Sequence, residues 1–375
     1  MTAPPERARV LVAMSGGVDS SVAAALLVEA GYDVVGATLH LWDYPDDGSV
    51  RGRCCAPEDQ YDARRTADRL GIAHFSFDRR ADFAAKVVGP FVDAYLRGET
   101  PSPCVACNRG VKTRELFDLA DRLGASHVAT GHYARVVREG PGRRPWLARA
   151  RDLDKDQSYF LHALGPDELA RAVFPLGERT KAEVRARARA LGLPGADKGE
   201  SQELCFVPTG RYDAFVAARA DGRVRPGPIL DGSGREVGRH EGLHRFTVGQ
   251  RKGLGVALGA PAYVVGLDPE RAAVRLGPAE ALDCVGLEAD EGAFGPEVPE
   301  RFRALVKVRA RHEGAEAEVE RGPGGRVVLR FSSPVRAVSV GQYAVAYLGD
   351  RVAGGARIVK VSHAHAPEAK LGAPA

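Results

Sequence analysis

No stretch of this sequence is long enough and apolar enough to read as a membrane-spanning helix. The opening residues, MTAPPERARVLVAMSGG, lack an apolar segment of signal length, so the expectation is a cytoplasmic protein without a membrane partner. Cysteine is scarce: Cys54, Cys55, Cys104, Cys107, Cys205 and Cys284 are the six in 375 residues, which excludes the disulfide framework of a small secreted domain. Chemistry or metal binding is then the question for them. A dominant charge is lacking too. With a formal net charge of +4, an anionic partner would have to be met through local patches. No segment repeats itself, which excludes a solenoid.

What is present suffices for two or three domains, because 44% hydrophobic content over this length can fill several cores. ARVLVAMSGG predicts a short buried strand over Val10 to Met14, then a turn and the helix SSVAAALLVEAGY. DVVGATLHLW is a second strand. The helical PEDQYDARRTADRLGI and the strand-like AHFSFD and ASHVATGHYA continue the alternation of a parallel sheet covered by helices. The fold class expected is α/β, a doubly wound, mainly parallel sheet over residues 1–220. From about residue 221 the glycine- and proline-dense DGRVRPGPILDGSGREVGRHEGLHRFTVGQRKGLG predicts a small β-rich domain over 221–287. Alternating strands over 288–363 predict a β-barrel or small sandwich, and 364–375 reads as a tail.

The stretch VAMSGGVDSS stands where the first strand meets the first helix. Backbone N–H groups and the positive end of a helix dipole suit a phosphate there. Gly16 and Gly17 allow close approach, and Ser15, Ser20 and Ser21 offer hydroxyls. An ordinary P-loop needs Gly-Lys-Ser/Thr; here Asp19 stands instead, able to hold Mg²⁺ or to cap the helix. SGGVDSS resembles the PP-loop of the N-type ATP pyrophosphatases. That resemblance implies ATP chemistry in which AMP is placed on an acceptor and pyrophosphate leaves.

Cys107 follows Cys104 in TPSPCVACNRGVK, and Cys205 lies far along the chain in GESQELCFVP. A thiolate near a helix N-terminus or a cation, such as Arg109 or Lys112, becomes a nucleophile. Two distant cysteines joined to adenylation suggest sulfur insertion, with a persulfide on one of them and thiolate attack at sulfur by the other. The Cys-x-x-Cys spacing leaves a metal alternative open, an iron-sulfur cluster on Cys104, Cys107 and Cys205. Cys284, within ALDCVGL, reads as a buried core residue, and Cys54 and Cys55 fall in a loop.

PSPCVACNRGVKTREL, ATGHYA, DLDKDQSYFLHAL, SQELCFVP and GRHEGLHRFTVGQRKGLG together resemble the tRNA-specific 2-thiouridylase family, from about residue 8 to residue 361. The resemblance implies sulfuration at position 2 of the wobble uridine in tRNAs for Lys, Glu and Gln, with ATP, Mg²⁺ and a persulfide donor protein, either a sulfur relay or a cysteine desulfurase. A monomer is expected. Cys107 matches the nucleophile and Cys205 the persulfide carrier, the two able to form a transient disulfide. Ala13, Met14, Ser15, Gly16, Gly17, Val18, Asp19, Ser20, Leu39 and Gly131 match ATP-binding positions. His132, Lys155, Asp156, Gln157, Arg309, Ala310 and Gln342 match tRNA-contacting ones. The chain departs from the family where Ser102, Pro103 and Cys104 replace an Asn-Pro-Asp. It also has Leu39 in place of a frequent methionine and Ala310 in place of a frequent tyrosine.

Two basic rows complete the expectation. In LVKVRARHE, strand alternation places Lys307, Arg309 and Arg311 on one face and Val306, Val308 and Ala310 on the other. In TKAEVRARARALGL, Lys181, Arg185 and Arg189 share one helix face. Such rows would give salt-sensitive phosphate contacts without choosing a sequence, whereas reading a uridine requires flipping it into a pocket, with His132 and Gln157 as candidates.

Overall fold

The computed structural model describes residues 8–44, 57–139, 143–196, 204–207, 210–256 and 259–364; Cys54 and Cys55 lie outside them. The chain divides into two compact units. The first takes its described residues from 1–90, 103–212 and 349–353, the second from 91–102, 213–348 and 354–375.

The first unit is built on β1 (Arg9–Ala13), β2 (Asp33–His40), β3 (Ala73–Asp78) and β4 (His127–Ala129). A short antiparallel pair, β5 (Arg135–Val137) and β6 (Trp146–Ala148), precedes β7 (Ala172–Val173). The main sheet runs β3-β2-β1-β4-β7, parallel throughout. Alternation along β1 sends Val10 and Val12 to one face and Leu11 to the other. Val10 and Val12 pack with Ala24 and Leu27 of α1 (Val18–Glu29) and with Ala63 and Ala67 of α2 (Pro57–Leu70). Leu11 packs with Val35 and Ala37 of β2 and with Leu116, Leu119 and Ala120 of the Thr113–Arg122 helix. Covered faces explain why β1 reads as an unbroken apolar run. Each fully buried valine or leucine there contributes about 1.5–3 kcal/mol. The sheet is therefore doubly wound, as the sequence predicts. Strand order reverses at β1, which lies between β2 and β4, and the carboxyl ends of β1 and β4 flank the crevice where such sheets take ligands.

The second unit holds β8 (Gly227–Leu230), β9 (Glu236–His240), β10 (Tyr263–Asp268) and β11 (Ala273–Gly277) in a four-stranded sheet of order β10-β11-β8-β9. It also holds β12 (Asp283–Phe294), β13 (Arg301–Lys307), β14 (Ala315–Arg321), β15 (Val327–Arg336), β16 (Tyr343–Leu348) and the Gly354–His363 stretch of β17 (Arg351–His363). These run β12-β15-β14-β13-β16-β17 and close through β12 on β17, which makes the expected region a barrel. No helix among the described residues is long and apolar enough to cross a membrane.

One expectation is corrected here. β13 stops at Lys307, and Arg309, Ala310 and Arg311 lie in the bend and turn that follow, where the His312 N–H donates to the Arg309 carbonyl at 3.0 Å. Register is the reason. Val306 already pairs with Ala315, so the chain must reverse between them and cannot carry a strand face through Arg311. On the strand itself the exposed Arg301 and Arg303 reach Glu320 and Glu318 of β14, so acid side chains across the ladder balance that face.

Candidate functional site

The first unit's site begins where β1 ends. Met14 is buried, and its N–H donates to the Ala37 carbonyl at 2.8 Å, which carries the chain out of β1 in register with β2. Gly16 then takes a left-handed φ of +77°. Gly17 caps α1 without a side-chain bond, and Val18 and Asp19 open the helix. The Ser20 hydroxyl donates to the Gly17 carbonyl at 2.9 Å and accepts from the Ser15 N–H at 3.2 Å, which ties the loop into a ring. Ser21 is fully buried, its hydroxyl 3.2 Å from that of Thr66 on α2, so it fastens two helices and does not face the loop.

The turn after β4 lies against the head of α1. A Cβ on Gly131 would stand 2.7 Å from Ser20 N and 2.8 Å from the Asp19 carbonyl carbon, so only glycine permits this approach. The next residue, His132, has Nδ1 at 2.7 Å from Thr130 Oγ1 and its ring edge-on to Phe174. Burial, with Lys112's charge as a second cause, pushes its pKa down to about 3, so the ring is neutral at ordinary pH. Leu39 stands one strand away on β2, partly buried beside the Leu11 core.

Asp156 and Gln157 brace this turn from within. The Gln157 N–H donates to the Tyr133 carbonyl at 2.8 Å, while Gln157 Oε1 accepts the Tyr133 N–H at 3.0 Å. Asp156 accepts from Ala150 N at 3.0 Å, Ser158 N at 3.2 Å and Ser158 Oγ at 2.9 Å. Lys155 N–H closes back on the Asp152 carbonyl at 3.1 Å. In the second unit Gln342 Nε2 donates to the carbonyls of Thr100 and Pro101, at 2.9 and 3.2 Å. The side chains of Asp156, Gln157 and Gln342 thus have bonds within their own units.

The next contact is one that the sequence reading missed. Lys181 Nζ lies 2.7 Å from both carboxylate oxygens of Asp19, and the Tyr133 hydroxyl donates to Asp19 Oδ1 at 2.9 Å. Lys181 keeps the helix face expected with Arg185 and Arg189, but its ammonium is bound by Asp19. Its helix, Lys181–Ala190, starts from a capping box in which Glu183 N donates to Thr180 Oγ1 and Thr180 N donates to Glu183 Oε2. Val184 and Ala188 bury the other face against Val22, Ala25 and Leu26 of α1. A signal for Lys181 does exist: an ammonium in a first turn opposes its own helix dipole, so a lysine there asks for a reason.

Cys107 is buried at the end of the Pro103–Cys107 helix, which runs on through the π-helical turn Asn108–Lys112 into Thr113–Arg122. Such π turns mark functional sites more often than chance. Asn108 Nδ2 donates to the Phe160 carbonyl at 3.3 Å, tying the turn to the segment that carries Gln157. Cys205 is partly exposed beside Phe206, whose buried ring meets Trp42 and Phe83 edge-on at 6.2 and 5.6 Å. Phe83 runs directly into Ala84–Val88, which packs against Pro103–Cys107. One helical stretch thus touches both cysteine-bearing segments.

Among the described residues no three His, Cys, Asp or Glu side chains converge as metal ligands, Cys104, Cys107 and Cys205 included, so the cluster alternative gains no support. A single carboxylate at a phosphate loop does suit Mg²⁺, which usually combines one or two carboxylates with substrate phosphates.

His162, buried near this turn, has Nδ1 2.8 Å from the Tyr159 carbonyl. Burial outweighs that bond, and with Arg109's charge pushes the pKa down to about 4. Its ordinary value is about 6.5. Between the two values only the unfolded chain takes the proton. Stability is therefore complete above about pH 6.5 and is lost as pH falls, by at most about 1.4 kcal/mol per unit. His162→Gln should flatten the pH dependence of the urea midpoint in that window; an equal slope in both proteins would refute this.

Residues 8–209 match the family described as tRNA methyl transferase HUP domain, 214–278 the tRNA methyl transferase PRC-barrel domain, and 290–358 the Aminomethyltransferase beta-barrel domain. The tRNA-specific 2-thiouridylase MnmA of Sorangium cellulosum is 64% identical over 360 residues, 95% of this chain and 93% of its own. That of Chloroflexus aurantiacus is 50% identical over 355 residues, 94% and 99% of the two chains. The Moorella thermoacetica protein of the same name is 47% identical over 356 residues, again 94% and 99%.

Proposed function

The chain belongs to the tRNA-specific 2-thiouridylase family, and from that premise we propose that it uses ATP to replace the 2-carbonyl oxygen of the wobble uridine in tRNA by sulfur. The observation that carries this reading is the glycine loop at the sheet's switch point, in one unit with two cysteine segments braced by the same helical stretch.

The uridine O2 attacks the α-phosphorus of ATP; an O–P bond forms and pyrophosphate leaves. Ala13 to Ser20, Leu39 and Gly131 surround the nucleotide, with the N–H groups at the head of α1 turned to phosphate oxygens. Mg²⁺, held by Asp19 together with those oxygens, would offset the charge of the departing pyrophosphate. A persulfide on Cys205, loaded by a sulfur relay protein or a cysteine desulfurase, supplies sulfur to C2, and AMP departs with the former carbonyl oxygen. The Cys107 thiolate attacks Cys205 Sγ, the bond from Cys205 Sγ to the transferred sulfur breaks with its electron pair going to that sulfur, and the resulting Cys107–Cys205 disulfide is reduced by two equivalents of a cellular thiol. Hydrosulfide freed first by the same attack would reach the same product. His132, Lys155, Asp156 and Gln157 border the base, while Arg309, Ala310 and Gln342 belong to the tRNA surface of the barrel. Lys, Glu and Gln tRNAs are the proposed substrates and a monomer the working form.

Incubation with ATP, unmodified tRNA and a persulfide donor, followed by nucleoside mass analysis, should give 2-thiouridine with one pyrophosphate released per thiolation. Thiolation without ATP, or pyrophosphate release with no sulfur in the RNA, would overturn the reading.

A further inference from the structure

We propose that Lys181 is the phosphate-binding cation of this loop, supplied from a helix 162 residues beyond Asp19, and that in the nucleotide-free protein Asp19 and Tyr133 hold it in place. The proposal rests on the adenylation reading above.

The loop has no lysine of its own, yet an ammonium reaches it. Lys181 Nζ contacts both Asp19 oxygens at 2.7 Å and lies 5.8 Å from the Tyr133 ring centre, with its side chain 13% exposed. The backbone beneath it is fixed. Thr180 and Glu183 cap the helix, Lys181 N–H donates to Asp152 Oδ2 at 2.9 Å, and Val184 and Ala188 pack on α1. Four methylenes above that anchor give the ammonium the reach to pass from a carboxylate to a neighbouring phosphate.

Charge balance favours the exchange. Asp19 offers one negative charge to one ammonium; Asp152 and Glu183 already meet the N-terminus of the Lys181–Ala190 helix, but that of α1, which has no side-chain cap, adds roughly half a positive charge. The locus is short of negative charge until a phosphate arrives. A clamp between helices is the alternative use of this ion pair, but Val22, Ala25 and Leu26 already hold the two helices together through Val184 and Ala188. As pyrophosphate separates from the α-phosphorus, an ammonium beside its oxygens stabilises the charge that develops.

The test measures three ligands on the full-length protein by calorimetry: ATP, inorganic pyrophosphate and AMP. Lys181→Met should weaken ATP and pyrophosphate by roughly 10- to 100-fold, the range of a charge-assisted hydrogen bond. AMP affinity should stay within about twofold, reporting an intact fold, and Lys181→Arg should recover part of the pyrophosphate affinity. Wild-type pyrophosphate affinity in Lys181→Met overturns the proposal, and so does an equal loss for AMP, which would mark a structural clamp. Failure of the unaltered protein to bind ATP or pyrophosphate would instead overturn the adenylation reading itself.

Discussion

Cys107→Ser and Cys205→Ser should each reduce 2-thiouridine formation by at least about a thousandfold while ATP affinity stays at the unaltered value, because a serine oxygen neither carries a persulfide nor attacks one. The two positions contribute differently. Cys107 is buried where an α-helix passes into a π turn, with Arg109 and Lys112 in that turn. Cys205 is partly exposed, as the proposed loading by a donor protein requires, and its neighbour Phe206 is anchored between Trp42 and Phe83. Cys284 supplies the contrast. It is fully buried in β12, its Sγ donates to the Gly286 carbonyl, and burial pushes its pKa up to about 11, so Cys284→Ser should leave thiolation intact. Nucleoside mass analysis after a single turnover reads all three variants. Full product from either Cys107→Ser or Cys205→Ser would sink the two-cysteine scheme. In Cys205→Ser, sulfur from the donor should also fail to label the protein.

The ease of reading these features from sequence follows the distance over which each is determined. β1, α1 and the glycine loop were legible because strand periodicity and glycine placement act within a few residues. The doubly wound sheet followed from alternating elements. Lys181 shares a helix face with Arg185 and Arg189 as periodicity predicts, but periodicity reports which residues share a face, not what each of them meets. Its partner Asp19 lies 162 residues away. The strand face drawn through Arg309 and Arg311 failed for a related reason: charge alternation continues past the point where pairing of Val306 with Ala315 obliges the chain to turn. Asp156 and Gln157 match tRNA-contacting positions, yet much of their polarity serves Ala150, Ser158 and Tyr133. Tertiary hydrogen bonding of this kind leaves no periodic trace.

Gly16→Ala should damage the protein far more than Gly17→Ala, although the two glycines are adjacent in the same motif. Gly16 has a φ of +77°, and a Cβ there would come within 1.9 Å of the Asp59 carbonyl oxygen in the first turn of α2. The left-handed conformation alone costs about 1–2 kcal/mol for an L-residue, and relieving the overlap adds about 1–3 kcal/mol. The strain cannot pass easily into α2, because Ala63 and Ala67 pack with Ala24 and Leu27 and Thr66 meets Ser21. The loop itself must move, and with it the ring that Ser20 closes between Gly17 and Ser15. Urea unfolding should therefore show a loss of roughly 2–5 kcal/mol for Gly16→Ala, with ATP binding lost as well. Gly17, by contrast, is extended at φ −77° and ψ 156°, and its added Cβ would meet only Ser15 Oγ at 3.6 Å. Replacing it should cost no more than about 1 kcal/mol of stability, the preference for glycine over alanine at a helix cap. Any larger loss of ATP affinity in Gly17→Ala then measures how closely the phosphates approach that backbone. Equal stability losses in the two variants would show that the Asp59 contact does not govern the loop.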